Sequence, residues 1–104
     1  MTKRNQDINM FAGDTKDILV TMTTDLSGAT IKWALKKRLN GTQYIYKTTS
    51  SGITVSGSTF TIRLDVADTS DLSGGYYHEA EVTDALGNVS TVMTGSAKIE
   101  PSGV

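Results

Sequence analysis

The stretch Leu72-Ser73-Gly74-Gly75-Tyr76-Tyr77-His78-Glu79-Ala80-Glu81-Val82-Thr83-Asp84-Ala85-Leu86-Gly87-Asn88-Val89-Ser90-Thr91-Val92-Met93 decides the fold. It reads as strand, tight turn, strand. After the Ser73-Gly74-Gly75 breaker a period-two pattern begins. Tyr76, His78, Ala80 and Val82 share one parity; Tyr77, Glu79, Glu81 and Thr83 share the other. Two carboxylates mark the second parity as the solvated one. Asp84-Ala85-Leu86-Gly87-Asn88 then supplies turn chemistry, with Asp and Asn able to bond their own backbone and Gly87 able to take positive φ. On the returning strand Val89, Met93, Ala97 and Ile99 fall on a single parity.

Working upstream, the same alternation recurs in short pieces. Ile8 and Met10 make a short first strand closed by Gly13-Asp14-Thr15. Ile18, Val20 and Met22 alternate with Leu19, Thr21 and Thr23, and Asp25-Leu26-Ser27-Gly28 turns that strand. From Ala29 to Arg38 two readings compete, because Ala, Leu and Lys are good helix formers. Helical spacing groups Ile31, Ala34 and Leu35 but leaves Trp33 out of the stripe. Odd–even alternation places Ile31, Trp33 and Leu35 together, against Lys32, Ala34 and Lys36, so a strand with Trp33 buried is expected.

Asn40-Gly41 is a hairpin signal. Tyr44 to Thr48 follows as a strand whose inward parity stays open, and Ser50-Ser51-Gly52 ends it. Ile53 and Val55 form a stub. Phe60, Ile62 and Leu64 then alternate with Thr61, Arg63 and Asp65, and a short helical turn capped by Asp is expected around 66–71. The whole predicts an all-β, immunoglobulin-like antiparallel β-sandwich of seven to eight strands over residues 7–100. Residues 1–6 read as a flexible leader and 101–104 as a frayed end.

Composition narrows function mostly by exclusion. At 104 residues the chain is one domain able to bury a core without staples. It has no Cys and one His, so thiolate chemistry and a His/Cys metal site are not expected. A formal charge of −1 does not advertise nucleic acid or an anionic membrane as partner. No run approaches membrane-spanning length and no signal core follows Met1, so a soluble product is expected. Asn40-Gly41-Thr42 and Asn88-Val89-Ser90 match the glycosylation pattern, but both sit where turns are expected.

Pairing in such a sandwich puts Ile31–Leu35 beside Tyr76–Val82, with Lys32 and Lys36 facing Glu79 and Glu81 on the wet side. Gly74-Gly75-Tyr76-Tyr77-His78 echoes the tyrosine-corner segment of immunoglobulin domains, with His78 in the place of a cysteine. As a lone histidine it reads as a half-buried, hydrogen-bonded strand residue rather than a base or ligand. Asp65, Asp68 and Asp71, three residues apart, could gather calcium but suit capping better. Lys36-Lys37-Arg38 reads as a solvated edge. Tyr44, Tyr46 and Tyr77 are candidates to face a partner or a sugar, with core coverage the alternative. No constellation for catalysis is present, so a non-enzymatic protein without cofactor is expected.

Four pieces, taken in order, carry a family resemblance. They are Asp7-Ile8-Asn9-Met10 with Gly13-Asp14-Thr15; Asp25-Leu26-Ser27-Gly28-Ala29-Thr30-Ile31-Lys32-Trp33; Gly52-Ile53-Thr54-Val55 before Phe60-Thr61-Ile62-Arg63-Leu64; and Asp68-Thr69-Ser70-Asp71-Leu72-Ser73-Gly74-Gly75-Tyr76-Tyr77. Together they resemble the immunoglobulin-like domains of tailed-phage virion proteins, notably the N-terminal domain of baseplate upper proteins. The likeness implies a structural or adaptor part of a virion, at the tail, baseplate or capsid exterior. It implies several copies assembling with themselves or with other phage structural proteins, and no catalytic residues. The edge strands around Ile8–Met10 and Tyr44–Thr48 are the expected contacts. The alternative is a carbohydrate- or host-surface-binding module.

Overall fold

The computed structural model describes residues 6–37 and 41–101. The expected leader up to residue 5, Arg38 of the basic run, Asn40 of the hairpin signal and residues 102–104 lie outside the described residues. Eight strands and one helical turn follow in order: β1 (Ile8–Phe11), β2 (Lys16–Thr21), β3 (Thr30–Lys36), β4 (Gln43–Thr48), β5 (Ile53–Ser56), β6 (Thr59–Leu64), α1 (Val66–Thr69), β7 (Gly74–Thr83) and β8 (Val89–Glu100). A five-stranded sheet, β1-β8-β7-β3-β4, packs on a three-stranded sheet, β2-β6-β5. This is the immunoglobulin-like sandwich the alternation predicts. One pair departs from antiparallel: β1 runs parallel to β8, with Ile8 opposite Ala97 and Met10 opposite Ile99.

The core follows the parities. Ile31, Trp33 and Leu35 from β3 meet Phe60, Ile62 and Leu64 from β6, and none of the six is more than 1% exposed. Trp33 therefore sits on a strand. Leu26, from the turn after β2, is also buried: its N–H donates to Gly57 O while Asp25 Oδ1 accepts from Ser27 N–H and holds the turn. Thr69 of α1 is fully buried and accepts a hydrogen bond from Gly13 N–H at 2.9 Å, tying the β1–β2 turn to the helical turn. The Asp84–Asn88 turn forms as expected, Asp84 Oδ1 accepting from the N–H groups of Leu86 and Asn88, with Gly87 at φ 89°.

Two inserted residues break the alternation. Ala80 pairs with Met93 but Glu81 pairs with Thr91, so Val92 is extra. A bulge of this kind reverses the parity beyond it. Val92 is buried beside Met93, and Val89, 60% exposed, does not share the face of Met93, Ala97 and Ile99 although it shares their parity. Likewise Leu35 pairs with Ile45 but Lys36 with Gln43, leaving Tyr44 as the insertion in β4.

Candidate functional site

The outer face of the five-stranded sheet carries the candidate residues of β3, β4 and β7. Across β3–β7 the rows are Lys32 opposite Glu81, Ala34 opposite Glu79 and Lys36 opposite Tyr77. The expected facing of Lys36 on a glutamate is thus corrected by one row, while Lys32 does face Glu81. Ala34, the small residue in the middle row, lies between Glu79 and Tyr46. The result is a shallow depression of about 270 Å³ floored near Ala34 and walled by Lys32, Lys36, Gln43, Tyr46, Glu79 and Glu81. Two ammonium groups, two carboxylates and one phenol surround it.

The three candidate tyrosines do not form one platform. Ile45 is the inward residue of β4, which settles the parity the sequence left open. Tyr46 stands on the outer face at 48% exposure. Tyr44, rotated by the bulge, instead sets its ring edge-on to Tyr76 at 5.5 Å, and Lys37 Nζ lies 4.6 Å above the same Tyr76 ring. Tyr77 is half-buried on the outer face opposite Lys36 and Ser96. Neither Tyr44 nor Tyr46 fills the core. Tyr76 makes the corner anticipated from Gly74-Gly75-Tyr76: its hydroxyl donates to Ser73 O at 2.9 Å and accepts from Ser73 N–H.

His78 is wholly buried, not half-buried, and both ring nitrogens are engaged. Nδ1 accepts from the indole N–H of Trp33 at 3.1 Å, and Nε2–H donates to the carbonyl of Gln6 at 2.6 Å. An indole nitrogen can only donate, so the ring is the neutral tautomer protonated on Nε2. Burial lowers its pKa below 6.5, opposed by the Gln6 bond and by the charge of Asp7. The group is spent on structure. Gln6, the last residue of the expected leader, is held on β8 as well, its N–H donating to Thr94 O.

Two of the three candidate aspartates, Asp65 and Asp68, are likewise committed. Asp68 Oδ2 takes Lys47 Nζ at 2.8 Å and the N–H of Asp65 at 2.7 Å, while Asp65 Oδ1 takes Arg63 Nε. Among the described residues no group of three or more His, Asp or Glu side chains could hold a metal ion, and no helix is long and apolar enough to cross a membrane.

The edges differ in what they offer a neighbour. On β4 the N–H and C=O of Thr48 bond Ser51, and Thr49 N–H bonds Ile31 O. By alternation Tyr46 turns its backbone outward, but the bulge at Tyr44 and the Ser51 turn blunt the strand on either side. β1 has only four residues. β2 is the regular edge. Its register with β6 runs unbroken from Lys16–Leu64 to Thr21–Thr59, and Met22 N–H bonds Ser58 O. The even residues therefore bond β6, and Asp17, Leu19 and Thr21 aim N–H and C=O away from the sheet. This edge was not singled out from sequence, although Leu19, apolar on the wet parity of β2, was the visible signal.

No protein-family model matches the chain, and no curated protein matches it.

Proposed function

We propose that the chain is a non-enzymatic structural or adaptor module of a tailed-phage virion, working by protein–protein assembly at the tail, baseplate or capsid exterior. The reading joins the ordered resemblance of its four segments to one observation. Exposed large apolar side chains sit on edge strands of both sheets: Phe11 on β1, Leu19 on β2, Tyr44 and Tyr46 on β4. Edge strands are where a neighbouring chain completes a sheet. The groups with chemical potential, His78 and the paired aspartates, are consumed by the fold. Mass spectrometry of purified particles from a lysogen or infected culture tests the reading. The protein is expected at a fixed ratio to the major tail or capsid protein, and its absence would sink the assignment.

The depression at Ala34 favours a second reading, a glycan- or host-surface-binding module. Tyr46 offers a ring face, and the flanking carboxylates and ammonium groups offer hydrogen bonds to hydroxyls. A glycan array probed with the intact protein and with Tyr46→Ala decides this: binding that Tyr46→Ala leaves unchanged removes the depression as the site.

A further inference from the structure

We infer that β2 is a self-pairing edge, joining two copies of this chain antiparallel about a two-fold axis at Leu19. The inference rests on the assembly reading above and names its first partner.

The geometry points to this edge for four reasons. The outward backbone groups belong to Asp17, Leu19 and Thr21, evenly spaced on an unbroken strand. Antiparallel pairing about Leu19 sets Leu19 opposite its counterpart and Asp17 opposite the second copy's position 21. Each of these is a pair that exchanges both N–H···O bonds. The register is therefore self-complementary, as a two-fold contact requires.

The side chains agree with that register. Leu19 is 68% exposed, and its apolar surface meets its own counterpart at the axis. Asp17 meets a threonine hydroxyl rather than another carboxylate, and its charge is already offset by Arg63 Nη1 at 3.3 Å. On the inner face Ile18, only half-buried at this open edge, lies opposite position 20, and the second copy covers it.

Of the usual guards against edge pairing β2 carries one, at its first residue: Lys16 shares the parity of Ile18 and Val20. β2 has no proline, no bulge and no charge directed inward between Asp17 and Thr21. Among the described residues no backbone bond outside β2–β6 engages Asp17, Leu19 or Thr21, and a groove of about 300 Å³ lies between the strand and Gln6–Ile8. The product is one continuous six-stranded sheet, β5-β6-β2 extended by its own copy.

The experiment is light scattering of the full chain across a concentration series, with Leu19→Lys, Leu19→Cys and Thr21→Cys beside it. All three changes are at exposed positions, and circular dichroism with thermal melting verifies the fold. The wild type is expected to show a concentration-dependent dimer. Leu19→Lys sets like charges opposite each other and is expected to raise the dissociation constant roughly fivefold or more. The chain has no native cysteine, so under oxidation Leu19→Cys cross-links position 19 to itself, whereas Thr21→Cys, facing position 17, does not. A wild type monomeric up to millimolar concentration overturns the inference, as does a dimer indifferent to Leu19→Lys, or one cross-linked at 21 and not at 19. These results are separable from the virion reading: absence from particles defeats that reading and leaves a dimer in solution standing, while a monomer in solution does the reverse.

Discussion

Trp33 and His78, 45 residues apart in sequence, share a buried hydrogen bond of 3.1 Å in which the indole donates and the imidazole accepts. The bond links the central strand of the larger sheet, β7, to its neighbour β3 from inside the core. Through Nε2–H the same ring carries the connection on to Gln6 and hence to the start of the described chain.

Acid is expected to weaken this fold through His78. Its pKa in the folded chain lies below the 6.5 of the unfolded one, because burial disfavours the cation. The unfolded state then binds more protons between those two values, so the stabilisation is whole above pH 6.5 and is lost as pH falls below it. Thermal melts of wild type from pH 7.5 to 5 should show a falling midpoint. In His78→Phe the slope over that window should flatten. At neutral pH that variant should lose about 1–3 kcal/mol for each partner left unbonded, here the Trp33 N–H and the Gln6 carbonyl.

Gly95 should not tolerate even a methyl group. It lies opposite His78 in the β7–β8 register, and a Cβ there meets the backbone of Gln6. Gly95→Ala is expected to cost about 1–3 kcal/mol in urea denaturation and to weaken hydrogen-exchange protection of the Gln6 and Ser96 amides. Gly75→Ala has open space and is expected to change stability by no more than about 1 kcal/mol. Equal effects at the two sites would refute the close approach at Gln6.

The core and the surface should separate cleanly. Phe60 is fully buried, and Phe60→Ala is expected to remove about 3–5 kcal/mol. Leu86 is 88% exposed at the tip of the β7–β8 turn, and Leu86→Ala should stay within about 0.5 kcal/mol. Chemical denaturation midpoints provide the comparison.

A second, more acidic window belongs to Asp84. Bonds from Asn88 first, then from Leu86 and Gly87, hold its carboxyl below 3.8. Its contribution is present above that value and fades as pH falls through the folded-state pKa. Asp84→Asn should therefore reduce the loss of stability seen between pH 4 and 2. An unchanged acid limb in the variant would rule the turn carboxylate out as its source.

Most of the architecture was legible because a half-buried strand writes its orientation at every second residue. Ile31–Trp33–Leu35 and Phe60–Ile62–Leu64 kept that spacing without interruption, and both triplets point inward as expected. What escaped reading was single-residue insertion. Nothing in Gln43-Tyr44-Ile45 or Thr91-Val92-Met93 marks a bulge, since bulges are set by what the partner strand presents. Hence Val89 shares the parity of Met93 but not its face, and Tyr44, two residues from Tyr46, sets its ring against Tyr76. Lys32 and Lys36 are four residues apart and Glu79 and Glu81 only two, so with Lys32 on Glu81 the strand necessarily brings Lys36 to Tyr77. The role of His78 needed long-range pairing to appear, because its partners come from Gln6 and Trp33. The outer-face candidates were recoverable as residues but not as a site, because the depression exists only once Ala34 is placed between Tyr46 and Glu79.

The parallel pairing of β1 with β8 has a mechanical consequence. Gln6 lies beside Thr94 and Phe11 beside Glu100, so a tug between the two extremities of the described chain drags neighbouring ribbons past each other lengthwise. All the bonds along that seam then share the load, instead of opening one after another like a zip. Optical-trap stretching should record one abrupt high-force rupture, and a gradual low-force peel would contradict this loading geometry.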